Sequence, residues 1–179
     1  MRNKLLVAAA CLLLSAVVPV GLARAAEEQG KFFQLALVNP VQIVNETQTI
    51  HGLRIDLIYG VNAGMYGLDL GIVNRVKGET KGVEWGWINL VDRDFTGWQA
   101  GIVNVTHGDF LGYQEGFFNQ SDNAEGFLFG ALNYTNHMNG LQLGFVNITK
   151  TLHGIQIGLV NVVSAKEKLP VLPIVNWSF

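Results

Sequence analysis

The residues best suited to chemistry in this chain are carboxylates, amides and indoles that recur at a fixed spacing. Within a unit of 14–15 residues, the third position reads Asp56, Asp69, Glu84, Gln99, Gln114, Leu128, Gln142 and Gln156. If successive units stack, Asp69 and Glu84 become neighbours, and a carboxylate pair is the minimum for holding a cation or for acid–base work on a glycan. No matched base, acid and electrophile accompany it. The expected role is a solvated polar face that keeps a sheet soluble. Asp92, Asp94 and Asp109 fall in connectors on adjacent units and are expected to face water. His51 and His153 precede a unit glycine in matching positions but lie seven units apart, and His107 and His137 have no partners at ligand spacing. Ser121, Ser164 and Ser178 lie in no Gly-x-Ser-x-Gly turn. No catalytic residue, metal site or cofactor is therefore expected. Trp85, Trp87 and Trp98, on neighbouring units, are the candidate binding aromatics: exposed, they stack on sugars or sit in lipid; buried, they fill the widest part of a core. Burial is the expectation.

The elements that carry these residues are set by composition and repeat. The chain has 179 residues, 49% of them apolar and only 15% charged, with 21 glycines. That profile points to one domain of β structure with many tight turns. A net charge of -2 supplies no basic field, which argues against a nucleic-acid partner. At the N-terminus, the basic start Met1–Lys4, the apolar run Leu5–Val20 and Ala23-Arg24-Ala25 read as a secretory signal peptide over residues 1–25. The single Cys, Cys11, lies inside it, so the exported chain is expected to have no thiol chemistry. A lipoprotein reading through Cys11 is disfavoured because the apolar run continues well past it. Residues 26–51 read as an N-terminal cap with eroded copies, 52–163 as tandem β-repeats, and 164–179 as a capping or closing strand.

The repeat itself is plain. Gly67-LDLGIV-Asn74, Gly82-VEWGWI-Asn89, Gly97-WQAGIV-Asn104, Gly112-YQEGFF-Asn119, Gly126-FLFGAL-Asn133, Gly140-LQLGFV-Asn147 and Gly154-IQIGLV-Asn161 follow a degenerate copy at Gly52. Starting glycines are 15 apart from Gly52 to Gly112 and 14 apart from there to Gly154. Leu37-Val-Asn39, Ile43-Val-Asn45 and Ile174-Val-Asn176 look like eroded fragments. Second, fourth and sixth positions are apolar and the third is mostly polar. This is the period of two that marks strands.

Two architectures use such units. In a parallel β-solenoid each copy is one rung; in a small antiparallel outer-membrane β-barrel of about 8–10 strands each copy is one strand. The single period favours the solenoid, because barrel strands alternate in direction and their environments repeat every second strand. Stacked copies would align Asn74, Asn89, Asn104, Asn119, Asn133, Asn147 and Asn161 into an amide ladder, and the central glycines, such as Gly144 and Gly158, would allow a sharp bend. Three outward apolar positions span roughly 14–20 Å, short for a lipid-facing band of about 25 Å. The ending Trp177-Ser-Phe179 and the many aromatics favour the barrel, whereas Pro170 and Pro173 in its closing strand would remove ladder donors.

The tandem Gly-Leu-Gln-Ile-Gly-Leu-Val-Asn pattern, clearest at Gly140–Asn147 and Gly154–Asn161, resembles a family of bacterial surface-repeat proteins, as does the ending Leu172–Phe179. The resemblance implies a repeat fold and a surface location, not an activity. Copies at Gly52 and Gly126 depart from the pattern, lacking the Asn and the polar third residue respectively. Locally, Gln142-x-Gly144-x-x-Asn147 is similar to the core spacing of curli repeats, as a shared turn solution. The expectation is a non-enzymatic, exported envelope or surface protein with a structural or binding role. Its partner would be the outer membrane or a surface or periplasmic molecule. The alternatives are a membrane barrel and a glycan-active solenoid enzyme.

Overall fold

The computed structural model describes residues 30–179, so the expected signal peptide lies outside the described residues. Eight strands follow in order: β1 (Lys31–Val38), β2 (Val41–Gln42), β3 (Thr49–Asn62), β4 (Gly64–Val76), β5 (Thr80–Val91), β6 (Phe95–Ala100), β7 (Val103–Val163) and β8 (Val171–Ser178). No helix occurs among the described residues.

The repeats stack in parallel. Gly52 pairs with Gly67, Gly67 with Gly82, Gly82 with Gly97 and Gly97 with Gly112, while Asn74 pairs with Asn89 and Asn89 with Asn104. Each register step equals one unit, so each unit is one turn of a coil. Parallel neighbours need a crossover connection; here the rest of the 14–15-residue turn supplies it. The 61-residue run of β7 would reach about 200 Å if straight, at roughly 3.3 Å per residue. Instead it winds, and its starting glycines continue the same column through Gly126, Gly140 and Gly154. The chain is a parallel β-solenoid, and its parallel register excludes the antiparallel barrel.

Two glycine columns make this winding possible, for different reasons. The starting glycines hold φ between 125° and 151°, a region that L-residues rarely adopt. At Gly112 a Cβ would also collide with the Gly97 carbonyl. The central glycines were expected to mark bends, and the chain does bend at Gly101–Ile102. Yet no central glycine has a positive φ. Their requirement is space: a Cβ at Gly116 would strike the Gly101 carbonyl and the Asn104 amide, which folds back beneath it.

Four side chains per turn point inward. They are the third position, the Asn, the residue two beyond the Asn, and the residue two before the next glycine. The last column is apolar apart from Thr80, with Ile50, Met65, Phe95, Phe110, Met138 and Leu152 among its members. Phe95 and Phe110 stack at 5.4 Å between ring centroids. The column beyond the Asn mixes Val76, Val91 and Val163 with Thr106, Ser121, Thr135 and Thr149. The remaining two columns are polar except at Leu128. The third positions therefore form no solvated face; they fill the interior, and the apolar second, fourth and sixth positions point out.

The first turn continues the pattern, and the last is closed by a strand that leaves it. Gln34 of β1 pairs with Arg54 of β3, which makes Phe32–Asn39 a full copy with Phe and Ala at the two glycine positions. β8 runs antiparallel on the last turn, pairing Ile155 with Trp177 and Gln156 with Asn176. Ile174-Val-Asn176 is thus no repeat copy: Asn176 extends the third-position column from the opposite direction. Pro173 lies inside this edge strand, where a missing N–H discourages further strand addition. Trp177 and Phe179 are 57% and 81% exposed.

Candidate functional site

The Asn column forms a continuous ladder. Each Nδ2 donates to the Oδ1 of the next turn: Asn74 to Asn89 at 2.9 Å, Asn89 to Asn104 at 2.7 Å, Asn104 to Asn119 at 2.9 Å, Asn119 to Asn133 at 2.9 Å, Asn133 to Asn147 at 2.8 Å and Asn147 to Asn161 at 2.8 Å. The same nitrogen also donates to a main-chain carbonyl of the following turn, as Asn104 does to Glu115 at 2.7 Å. The third-position column also bonds its amides between turns, here to the preceding turn and with a break at the buried Leu128: Gln114 Nε2 donates to Gln99 Oε1 at 2.6 Å, and Gln156 Nε2 to Gln142 Oε1 at 2.7 Å. A coil pitch of about 4.8 Å is what brings identical amides within bonding distance. Each bond contributes only about 1 kcal/mol net, but an orphaned buried amide costs more.

At the N-terminal end the same column becomes ionic. Its third-position member in the Gly52 copy is Arg54, not Asp56, because Asp56 pairs with Gly71 in the central-glycine column. The carboxylate of Asp56 fills the place that an Asn amide fills elsewhere, and Gly60 stands at the Asn position because any Cβ there would strike it. Arg54 donates from Nε to Asp69 Oδ1 at 2.7 Å, and its Nη2 bonds Asp69 Oδ2. Its Nη1 donates to the Arg75 carbonyl at 3.0 Å, and Asp56 Oδ2 lies 3.2 Å from Nε. Gln99 Nε2 donates to Glu84 Oε2 at 2.7 Å.

Burial decides the protonation of this stack. It pushes the Glu84 carboxyl well above the usual carboxylate range, the Asp69 charge adds to the rise, and Arg54 and the Gln99 amide only partly oppose it. Asp56 is pushed up to about 7, again mainly by burial, with Arg54 pulling it down and Asp69 pushing it up. Burial also works against the Arg54 charge, but Asp69, Asp56 and Glu84 outweigh it and raise the guanidinium further. The arrangement is an Arg54–Asp69 ion pair with Glu84 above it, its neutral form favoured by burial. Asp69 and Glu84 are neighbours, but neither has any solvent exposure. A glycan cannot reach them, so the pair is a structural element of the core.

The connector acids also act between turns. Asp94 Oδ1 accepts from the Asp109 main-chain N–H at 2.9 Å, Asp109 Oδ1 accepts from Asn123 at 2.7 Å, and Asp92 pairs with Arg75 at 3.0 Å. The histidines stay apart: His51 stacks on Tyr66, and His153 meets the edge of Phe179. Among the described residues no group of three His, Cys, Asp or Glu side chains is placed to hold a metal.

The aromatics are where the expectation reverses. Trp85, Trp87 and Trp98 are 67%, 63% and 46% exposed. The physical reason is the narrow bore: two of four inward columns are amide ladders, and the apolar column is filled by Phe95 and Phe110. The indoles are left outside, among Phe117, Phe127, Phe129 and Phe145, which are all exposed by half or more. These rings flank the central glycines. Trp85, Trp87, Ile102, Phe117 and Phe129 enclose an open groove of about 460 Å³ above Gly86, Gly101 and Gly116. Phe117, Phe129, Leu143 and Phe145 enclose a second of about 570 Å³ above Gly116, Gly130 and Gly144. From the Gly67 copy to the Gly154 copy, Glu115 is the one charged residue at the second, fourth, sixth or seventh position. The acids, lysines and histidines gather on the opposite side, along a groove of about 980 Å³ lined by residues such as Lys81, Asp94, Asp109 and His137.

Sequence reasoning passed over Arg54, Gln34 and Asn176. Counting strictly from Gly52 identifies Arg54, and allowing Phe32 and Ala36 at glycine positions identifies Gln34. No repeat signal identifies Asn176, since it enters from a reversed strand. No family model, curated protein or solved structure matches the chain.

Proposed function

We propose that the protein is a non-enzymatic, exported module of the bacterial cell envelope that binds through its apolar outer side. One observation carries this reading: the contiguous, almost charge-free side bearing Trp85, Trp87, Phe117, Phe129 and Phe145. A fully exposed ring side chain presents about 150–250 Å², so six rings exposed by half or more present roughly 550–900 Å². The largest apolar patch of a typical soluble monomer is about 300–600 Å². Such a side in water favours association. The signal-peptide pattern and the resemblance to surface-repeat proteins support export and an envelope location. The burial of Asp69 and Glu84 favours a binding role over a glycan-active one.

Fractionation of expressing cells tests the reading. The wild type should stay with the envelope, and the Trp87→Asp/Phe117→Asp/Phe145→Asp variant should move to the soluble periplasmic fraction. These side chains point out of the coil, so the variant keeps its core. Equal partitioning of the folded variant and the wild type refutes binding through this side.

A further inference from the structure

The apolar side has a shape and a charge pattern that narrow its occupant. The sixth and seventh positions both point outward, as at Trp87 and Ile88 and at Leu159 and Val160, and the next residue, Asn, turns inward. Two consecutive outward residues mark a convex corner, and the apolar surface continues onto both flanks of it. A rigid partner with a flat face, including a second copy of the chain docked about a two-fold axis, covers one flank and leaves the other in water. A fluid apolar phase covers both.

The corner is also furrowed along the solenoid axis by the two glycine-floored grooves. Gly86 to Gly144 spans four rung steps, about 19 Å at roughly 4.8 Å per step. The main chain at the corner is compatible with a water-poor setting because its polar groups bond between turns: Phe118 N donates to Ile102 O at 2.9 Å, and Gly101 N to Glu115 O at 3.0 Å. The polar side runs the whole length of the coil, which excludes spanning. The corner and its flanks carry one charge, Glu115 beside the first groove, and no Lys or Arg in the second, fourth, sixth or seventh positions from Gly67 onward, so attraction to anionic headgroups plays no part there.

From these observations we infer that the occupant of the apolar side is a phospholipid leaflet. The solenoid lies along the membrane surface with its aromatic corner among the acyl chains and its connector side in water, a β counterpart of an interfacial amphipathic helix. The inference rests on the binding role proposed above and names the surface bound. All four Trp of the chain, Trp85, Trp87, Trp98 and Trp177, are exposed on the outside, which makes intrinsic fluorescence a direct reporter.

The test uses the protein purified from expressing cells, with phosphatidylcholine vesicles as the probe. Brominated phosphatidylcholine should quench the Trp emission, and access of acrylamide should fall several-fold on vesicle addition. Both effects should be the same at low and at high salt. Trp87→Asp/Phe117→Asp/Phe145→Asp should weaken partitioning at least tenfold with its β circular dichroism intact, while Thr96→Asp on the connector side should leave it unchanged. Absence of vesicle binding by the folded wild type overturns the inference. So does lipid-independent shielding of Trp that rises with protein concentration, the signature of a second copy. If cells retain the protein in the envelope by the same corner while phosphatidylcholine vesicles do not bind it, the lipid assignment fails and the binding role stands.

Discussion

Glu84 sits where the interior changes from ions to amides, with Asp69 below it and Gln99 above. Its carboxyl and that of Asp56 are both raised in the folded protein, mainly by burial. For a raised acid the folded state binds the more protons between the unfolded and folded values. Stability is then highest at low pH and falls as pH rises through that window. For Asp56 the window runs from 3.8 to about 7, and the raised Glu84 carboxyl adds to the fall. Glu84→Gln continues the glutamine ladder without a charge to suppress. It should stabilise the protein at pH 8 by about 1–3 kcal/mol, the scale of one unsatisfied buried group. Urea midpoints measured from pH 4 to pH 8 should show a shallower fall, flatter still with Asp56→Asn added. An unchanged slope contradicts the assignment. In the Asn ladder, Asn104→Ala removes bonds to both neighbours and should cost about 3 kcal/mol. Asn161→Ala, at the ladder's end, should cost about 1 kcal/mol. Equal losses in denaturant melts would mean that the amides do not act as a chain.

At the scale of the element, the turn depends on glycine twice over. Gly112→Ala places a methyl group against the Gly97 carbonyl at a φ of 140°. It should destabilise the protein by more than about 3 kcal/mol, since backbone on one side and ladder on the other leave no room to shift. Gly108→Ala, in a connector without positive φ, meets the Asp94 side chain and the Arg93 main chain and should cost less. Thermal melts of the pair check the order. This dependence on glycine is also what was legible in the sequence. Identical copies at one period demanded identical environments, and parallel stacking followed. The phase of the strands was not legible. Alternation fixes which residues share a face but not which face is inside, and a one-residue choice inverts every side chain. The customary choice, apolar inward, fails here because amides bond along a narrow axis while indoles find no volume within it. The copy at Phe32 was hidden because a Phe and an Ala replace its glycines. The reciprocal exchange of Asp56 and Gly60 at the central-glycine and Asn positions was legible only once both were seen in register.

Across residues 31–179, the solenoid reverses the usual distribution of polarity. Hydrogen-bonded amides and one ion pair occupy most of two of the four inward columns, and the aromatic residues other than Phe95 and Phe110 lie mostly outside. Two consequences meet in this arrangement: the core holds its shape through bonds between turns, and the surface is left to associate. Paired cysteines test it most directly, because Cys11 is the only native one. Ile102 and Phe117 stand at the same outward position on adjacent turns, joined by the Phe118 N to Ile102 O bond of 2.9 Å, and neighbouring rungs put Cα atoms within disulfide range. Ile102→Cys/Phe117→Cys should form an intrachain disulfide rapidly under mild oxidation and, when reduced, react with a water-soluble maleimide. Ile102→Cys/Phe145→Cys, three turns apart, should form none. A failure of the first pair to close, or equal closure of both, would contradict the parallel stack with its apolar residues outside.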